Sequence, residues 1–144
     1  MEIETTGEVV VSARMENLAD VYDVKKGAIA EDQIRAVEVT DALVDTGATM
    51  LSMPGKLIEQ LGLKQQRTRT ARTASGTAEF AIYDAVRLTV QGRDCVVEVA
   101  GLPEDCPVLI GQIPLEALDF VVDPVGQKLL GNPDHGGKQM IDMF

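Results

Sequence analysis

Apolar and polar residues alternate along much of this 144-residue chain, and a period of two marks strands with one buried face. The pattern is clearest at Phe80-Ala-Ile-Tyr-Asp-Ala-Val-Arg-Leu-Thr-Val90, where Phe80, Ile82, Val86, Leu88 and Val90 are expected on one face. Gln91-Gly-Arg-Asp94 then supplies turn residues, and Cys95, Val97 and Val99 resume the alternation, so the two runs predict a hairpin. Gly7 to Met15 and Ile34 to Val44 are also strand-like, with a short helix between Asn17 and Lys26 closed by Gly27. A second helix has Pro54 in its first turn, Leu57, Ile58 and Leu61 on a shared face, and Gly62 as its stop. A third, of one or two turns, is expected from Pro114 to Leu118. Around it lie the apolar run Val108-Leu-Ile-Gly111 and two strands, Phe120 to Asp123 and Lys128 to Leu130, joined by the turn Pro124-Val-Gly-Gln127.

These elements predict a mainly β protein with two or three short helices, its strands too short for a parallel α/β sheet. The length suits one domain over residues 1–144, without internal repeat or linker. The ends, about 1–6 and 131–144, have the composition of mobile or edge segments.

Charge narrows the partners. Thirteen Lys and Arg stand against 23 Asp and Glu, a formal net charge of −10, so general binding to nucleic acid or anionic lipid is opposed by repulsion. The one basic cluster, Lys64, Arg67, Arg69 and Arg72, reads as a solvated strand face. Its functional alternative is selection of acidic substrate residues, or steering against the negative body. The acidic start Met1-Glu-Ile-Glu-Thr-Thr6 is unlike a secretory signal, and no apolar run approaches the ~20 residues of a membrane helix. A cytoplasmic protein is the expectation.

The titratable inventory is equally restrictive. His135 is the only histidine, so one chain cannot build a multi-histidine zinc site, and no cofactor or metal is expected. Its setting, Gly131-Asn-Pro-Asp-His-Gly-Gly137, reads as a solvated loop. Cys95 and Cys106 are not spaced as a redox or metal pair and read as partly buried free thiols. Glu104-Asp105, and Asp119 with Asp123, lack the dense oxygen-ligand spacing of a calcium loop and read as solubilising charge.

Ala42-Leu-Val-Asp-Thr-Gly-Ala-Thr49 carries the chemistry. An apolar strand ends by presenting a carboxylate, a hydroxyl and a glycine in succession. Such a turn can hold Asp45 rigidly while exposing it: Gly47 lets a backbone N–H approach the carboxylate, and the Thr46 hydroxyl can anchor the loop.

With that loop the sequence resembles the retropepsin-like aspartic peptidases, whose protomer carries one Asp-Thr/Ser-Gly-Ala loop, a hairpin flap, and an apolar-apolar-Gly segment before a short helix. Here the same order runs Asp45-Thr46-Gly47-Ala48, then a flap tip at Thr73-Ala74-Ser75-Gly76, then Leu109-Ile110-Gly111 before Pro114 to Leu118. The resemblance spans roughly Val37 to Asp123. The run from Leu109 to Pro124 looks like that of small, stand-alone bacterial members. Gln112 stands where retroviral relatives commonly have a basic residue, and the flap tip has no aromatic residue.

The resemblance implies a closed β-barrel-like protomer, active as a homodimer. Amide hydrolysis by water needs a base for the water's proton and an acid for the carbonyl oxygen. Two carboxyls sharing one proton supply both, as is known of aspartic proteases. The chain holds no second Asp-Thr/Ser-Gly and is about half the length of a two-lobed enzyme, so each protomer would contribute one Asp45 on a two-fold axis. Thr46 would brace the two loops, and Gly47 and Ala48 would give room. Arg72, Thr73, Ala74, Ser75 and Gly76 would close over an extended peptide substrate. Leu109, Ile110 and Gly111 would pack under the loop. The implied activity is an aspartic endopeptidase working at acidic to mildly acidic pH. Two alternatives differ in class: a catalytically silent dimer of this fold that binds peptides or proteins, and an unrelated β-barrel scaffold in which Asp45-Thr46-Gly47 is only a turn. The dimerising C-terminal strand is Lys128 to Leu130 or Met140 to Phe144.

Overall fold

The computed structural model describes residues 8–123 and 125–140. The expected N-terminal end segment 1–6, Pro124 of the last turn, and all but the first residue of Met140 to Phe144 lie outside them.

Strands β1 (Val9–Asn17), β2 (Ala36–Val44), β3 (Leu51–Pro54), β4 (Gln65–Thr73), β5 (Gly76–Val90), β6 (Arg93–Leu102) and β7 (Leu109–Ile110) form one sheet in the order β1-β2-β7-β3-β6-β5-β4. Because β1 pairs with both β2 and β5, the sheet closes into a barrel, and a closed sheet has no free edge along its wall. Only β4 stands outside the ring, hydrogen-bonded to β5 alone. Strands β8 (Phe120–Asp123) and β9 (Lys128–Gly131) form a separate hairpin. Helices α1 (Leu18–Lys25), α2 (Gly55–Leu61) and α3 (Gln112–Leu118) are all short. This is the mainly β, retropepsin-like architecture expected.

The barrel interior is filled by alternate residues of its strands. Val9, Val11, Ala13 and Met15 of β1 meet Leu51 and Met53 of β3 and Val97 and Val99 of β6, with Ile58 and Leu61 of α2 and Leu115 and Leu118 of α3 closing the ends. Burying a side chain the size of Leu51 stabilises the fold by about 2 kcal/mol. Asn17 ties two helices together. Its side-chain oxygen caps α1 by accepting from the Asp20 N–H at 3.1 Å, and its Nδ2 donates to the Leu61 carbonyl at the end of α2, 2.8 Å away.

The structure departs from the sequence pattern at several places. The turn after β5 is two residues, Gln91 at φ 50° and Gly92 at φ 80°, a pair of positive angles that suits a tight hairpin, so Arg93 and Asp94 belong to β6. Helix α3 begins at Gln112, and Pro54 ends β3 as the cap of α2 rather than entering its first turn.

More consequential is a bulge. Tyr83 pairs with Val99 but Val86 with Val97, so β5 carries one residue more than β6 across this step. Side-chain parity reverses there. Val86, Leu88 and Val90 point into the barrel, whereas Ile82, fully buried yet outside that cluster, faces a hollow together with Phe80. The five residues expected on one face therefore serve two.

Candidate active site

Asp45 follows β2 directly, and its position is set by a crossing of three strands. Strand β7 lies between β2, to which it is parallel, and β3, to which it is antiparallel. Leu43 donates its N–H to the Val108 carbonyl at 2.8 Å, and Asp45 donates to the Ile110 carbonyl at 3.0 Å. The segments Ala48 to Met50 and Gly111 to Ile113 then fold against each other: the Gly111 N–H donates to the Met50 carbonyl at 3.1 Å, that of Gln112 to the Ala48 carbonyl at 2.9 Å, and that of Ile113 to the Thr49 carbonyl at 2.9 Å. The Asp45 loop thus rests on backbone hydrogen bonds to the segment Val108 to Ile113.

This crossing requires Gly111. A Cβ there would lie 2.6 Å from the Met50 carbonyl oxygen and 2.7 Å from that of Ala48, closer than atoms of a packed interior approach. Its φ of −88° is open to any residue. Space, not backbone conformation, makes the position glycine.

Within the loop, the Ala48 N–H donates to the Asp45 carbonyl at 3.0 Å and closes the turn. The Gly47 N–H donates to Asp45 Oδ1 at 2.9 Å, a charge-assisted bond that fixes the carboxylate's direction. Asp45 and Ala48 are half-buried, and Thr46 and Gly47 are exposed. The Thr46 hydroxyl has no hydrogen-bond partner among the described residues of its own chain.

The hairpin of β4 and β5 reaches out beside this loop. Its strands pair from Gln65 opposite Tyr83 to Thr73 opposite Gly76, leaving Ala74 and Ser75 as the tip. Thr73 Oγ1 donates to the Gly76 carbonyl at 3.1 Å, and Gly76 sits at φ +131°. The tip segment Arg72 to Gly76 is exposed throughout.

Between hairpin and loop lie two adjoining hollows. One, of about 290 Å³, is lined by Gly47, Ala48, Thr49, Ala71, Arg72, Phe80 and Gly101 among others. The second, of about 360 Å³, shares Thr49, Met50, Ala71, Arg72 and Phe80 with it and extends to Arg67, Arg69, Ile82, Glu98 and Ile113. So the structure brings Asp45-Thr46-Gly47-Ala48 together with Leu109-Ile110-Gly111 through the crossing. It brings the hairpin to the same cleft through Ala71 and Arg72, while Thr73 to Gly76 project past it.

Met50, Phe80, Gly101 and Glu98 were missing from the sequence-based candidates, whereas Arg67, Arg69 and Arg72 of the basic cluster do line the second hollow. Counting outward from a two-residue turn at Ala74-Ser75 would have placed Arg69 opposite Phe80. Nothing local marks Glu98, which joins through a bidentate pair with Arg67 at 3.1 and 2.7 Å. That hydrogen-bonded guanidinium holds the Glu98 carboxyl below its usual range.

Other candidate groups fall elsewhere. His135 is no solvated loop residue: its side chain is 17% exposed, and Nδ1 lies 2.6 Å from Asp119 Oδ2. Asp119 is likewise not surface charge. It is buried and also accepts from Met140 N–H at 3.0 Å and Asn132 Nδ2 at 3.2 Å, and the bond to His135 foremost holds its carboxyl below the ordinary range. Cys95 and Cys106 are free and partly buried. Burial pushes the Cys95 thiol up to about 11, far from a nucleophilic thiolate at neutral pH.

A closed barrel with a single Asp-Thr-Gly-Ala loop seated on a threaded apolar-apolar-Gly strand, and a hairpin beside the loop, defines the retropepsin-like class. A family model described as "gag-polyprotein putative aspartyl protease" matches residues 31–117, more than half of the chain. The chain belongs to this family of retroviral-type aspartyl proteases. Among solved structures it is similar to the solution structure of simian foamy virus (mac) protease, at 22% identity over 76% of this chain and 93% of that one, with a TM-score of 0.47. No curated protein matches the chain.

Proposed function

We propose that the chain is an aspartic endopeptidase that works as a homodimer, with one Asp45 from each protomer at the two-fold axis. The observation that carries this reading is the setting of Asp45, a half-buried carboxylate aimed by the Gly47 N–H on a loop whose backbone is locked to Ile110.

One carboxyl of the pair is ionised and takes a proton from water, and the other is protonated and donates to the carbonyl oxygen of the substrate. Like charges in close apposition separate the two protonation steps, as in aspartic proteases generally. The oxygen of water bonds to the carbonyl carbon, and the resulting diol collapses as the C–N bond breaks and the nitrogen takes up a proton. Thr46, whose hydroxyl is unpaired among the described residues of its own chain, braces the loops across the axis. The hairpin segment Arg72 to Gly76 closes over an extended peptide, whose backbone pairs with it as an added strand. The stand-alone bacterial type and a reducing, cytoplasmic setting complete the reading, which two free thiols suit.

Wild type and Asp45→Asn, incubated with a mixed peptide library from acidic to neutral pH, test it. Mass spectrometry is expected to find cleavage by wild type only, with light scattering reporting dimers for both. Full hydrolysis by Asp45→Asn, or a monomeric wild type, would sink the dyad. A dimer that binds peptides without cutting them at any pH would leave a binding module.

A further inference from the structure

The peptide cleft of a protein with net charge −10 is lined on one side by guanidinium groups. Cross-strand partners in an antiparallel hairpin share a face. Arg67 is paired with Ile82 and Arg69 with Phe80, and Ile82 and Phe80 face the larger hollow, so both arginines lie on the cleft face. The bulge at Tyr83 to Val86 makes this possible, since without the parity change that face would continue into the barrel interior.

The two arginines are not equivalent. Arg67 is neutralised by its bidentate pair with Glu98. Arg69 has no hydrogen-bond or ion-pair partner among the described residues and reaches Glu98 only through space. Arg72 also borders the hollow, but its partner Thr77 places it on the opposite face of the hairpin. The hollow therefore combines an apolar floor of Phe80, Ile82 and Ile113 with one unmatched, cleft-facing guanidinium.

We propose that Arg69 is a specificity residue that takes a carboxylate side chain of the peptide, an Asp or Glu at one fixed position near the scissile bond. The position is near that bond because the hollow shares Thr49 and Met50 with the one beside Gly47 and Ala48. A guanidinium offers a planar pair of donors that matches a carboxylate bidentately. Glutamine at that position leaves Arg69 solvated but unmatched, and a basic residue is repelled.

This rests on the peptidase reading for its site but is testable apart from it. Matched extended peptides differing only by Glu or Gln at each position are measured in two ways: cleavage by wild type, and fluorescence anisotropy with Asp45→Asn, which binds without turnover. At one position Glu is expected to be favoured about tenfold, as a bidentate charged hydrogen bond provides, with the ratio shrinking as salt rises. In Arg69→Gln the Glu/Gln ratio falls to near one, and Arg69→Lys restores part of it; circular dichroism verifies that the variants are folded. A ratio of one in the parent proteins, or a ratio that survives in Arg69→Gln and vanishes in Arg72→Gln, overturns the assignment. Cleavage without acidic preference removes Arg69 and leaves the peptidase. Binding with an Arg69-dependent preference but no cleavage by wild type keeps Arg69 and removes the peptidase, and neither binding nor cleavage removes both.

Discussion

Two glycines divide the cleft into regions of opposite character. Under the Asp45 loop, Gly111 has an ordinary backbone angle and no room: three backbone atoms stand within 2.7 Å of where a Cβ would be. At the flap, Gly76 has open space on all sides and a φ of +131° that L side chains rarely adopt. The first region is made by close backbone approach between segments far apart in the chain. The second is a local hairpin with both faces of β4 largely in solvent. A peptidase of this design needs both, since a carboxylate works only if held and a substrate enters only if something can move.

Breaking the rigid side is expected to have the largest effect. Gly111→Ala must push the Ala48 to Met50 backbone off β7, at a stability loss of about 3 kcal/mol, with hydrolysis lost along with it. A urea midpoint near that of wild type would show that the crossing is softer than its distances imply. Gly76→Ala probes the other side. It strains the flap without touching the core, so the urea midpoint should move by less than about 0.5 kcal/mol while KM for a cleaved peptide rises. A large loss of global stability would mean that the two regions unfold together.

The finest test concerns the tie between them, since Arg67 on the flap is held by Glu98 on the barrel wall. The Arg67 hydrogen bond lowers the Glu98 pKa from 4.5. The pair's contribution is therefore complete above that value and is lost as pH falls through the lower folded one. Hydrogen exchange of β4 amides should quicken in wild type as pH is taken down through this range, once corrected for intrinsic rates. Glu98→Gln should exchange faster at neutral pH and lack the acid step. Identical profiles for both proteins would show the tie to be idle, as many exposed ion pairs are.

Much of this arrangement was legible in residue order. The Asp45 loop, the Leu109-Ile110-Gly111 segment and the β5–β6 hairpin each carry a local signature of turn residues or alternation. What was not legible had no local period to show. β3, Leu51-Ser-Met-Pro54, is buried at every residue because strands cover it on both edges and side chains on both faces, so it alternates nothing. The bulge in β5 depends on its pairing with β6 and leaves the apolar spacing of Phe80 to Val90 looking uninterrupted. Asp119 and His135 lie in the sequence like surface residues and are joined only when the chain returns past α3.

The placing of β7 between β2 and β3 also imposes an order in time. Asp45, Thr46 and Gly47 are synthesised well before Leu109 and Ile110, and their contact must overcome the entropy of closing the long loop between them. Until Ile110 has been made and has paired with β2 and β3, Asp45 lacks the carbonyl that anchors its amide. A growing chain therefore carries Asp45-Thr46-Gly47 as an undirected turn, and the motif acquires its aim only when a segment more than sixty residues further on has emerged and docked beneath it.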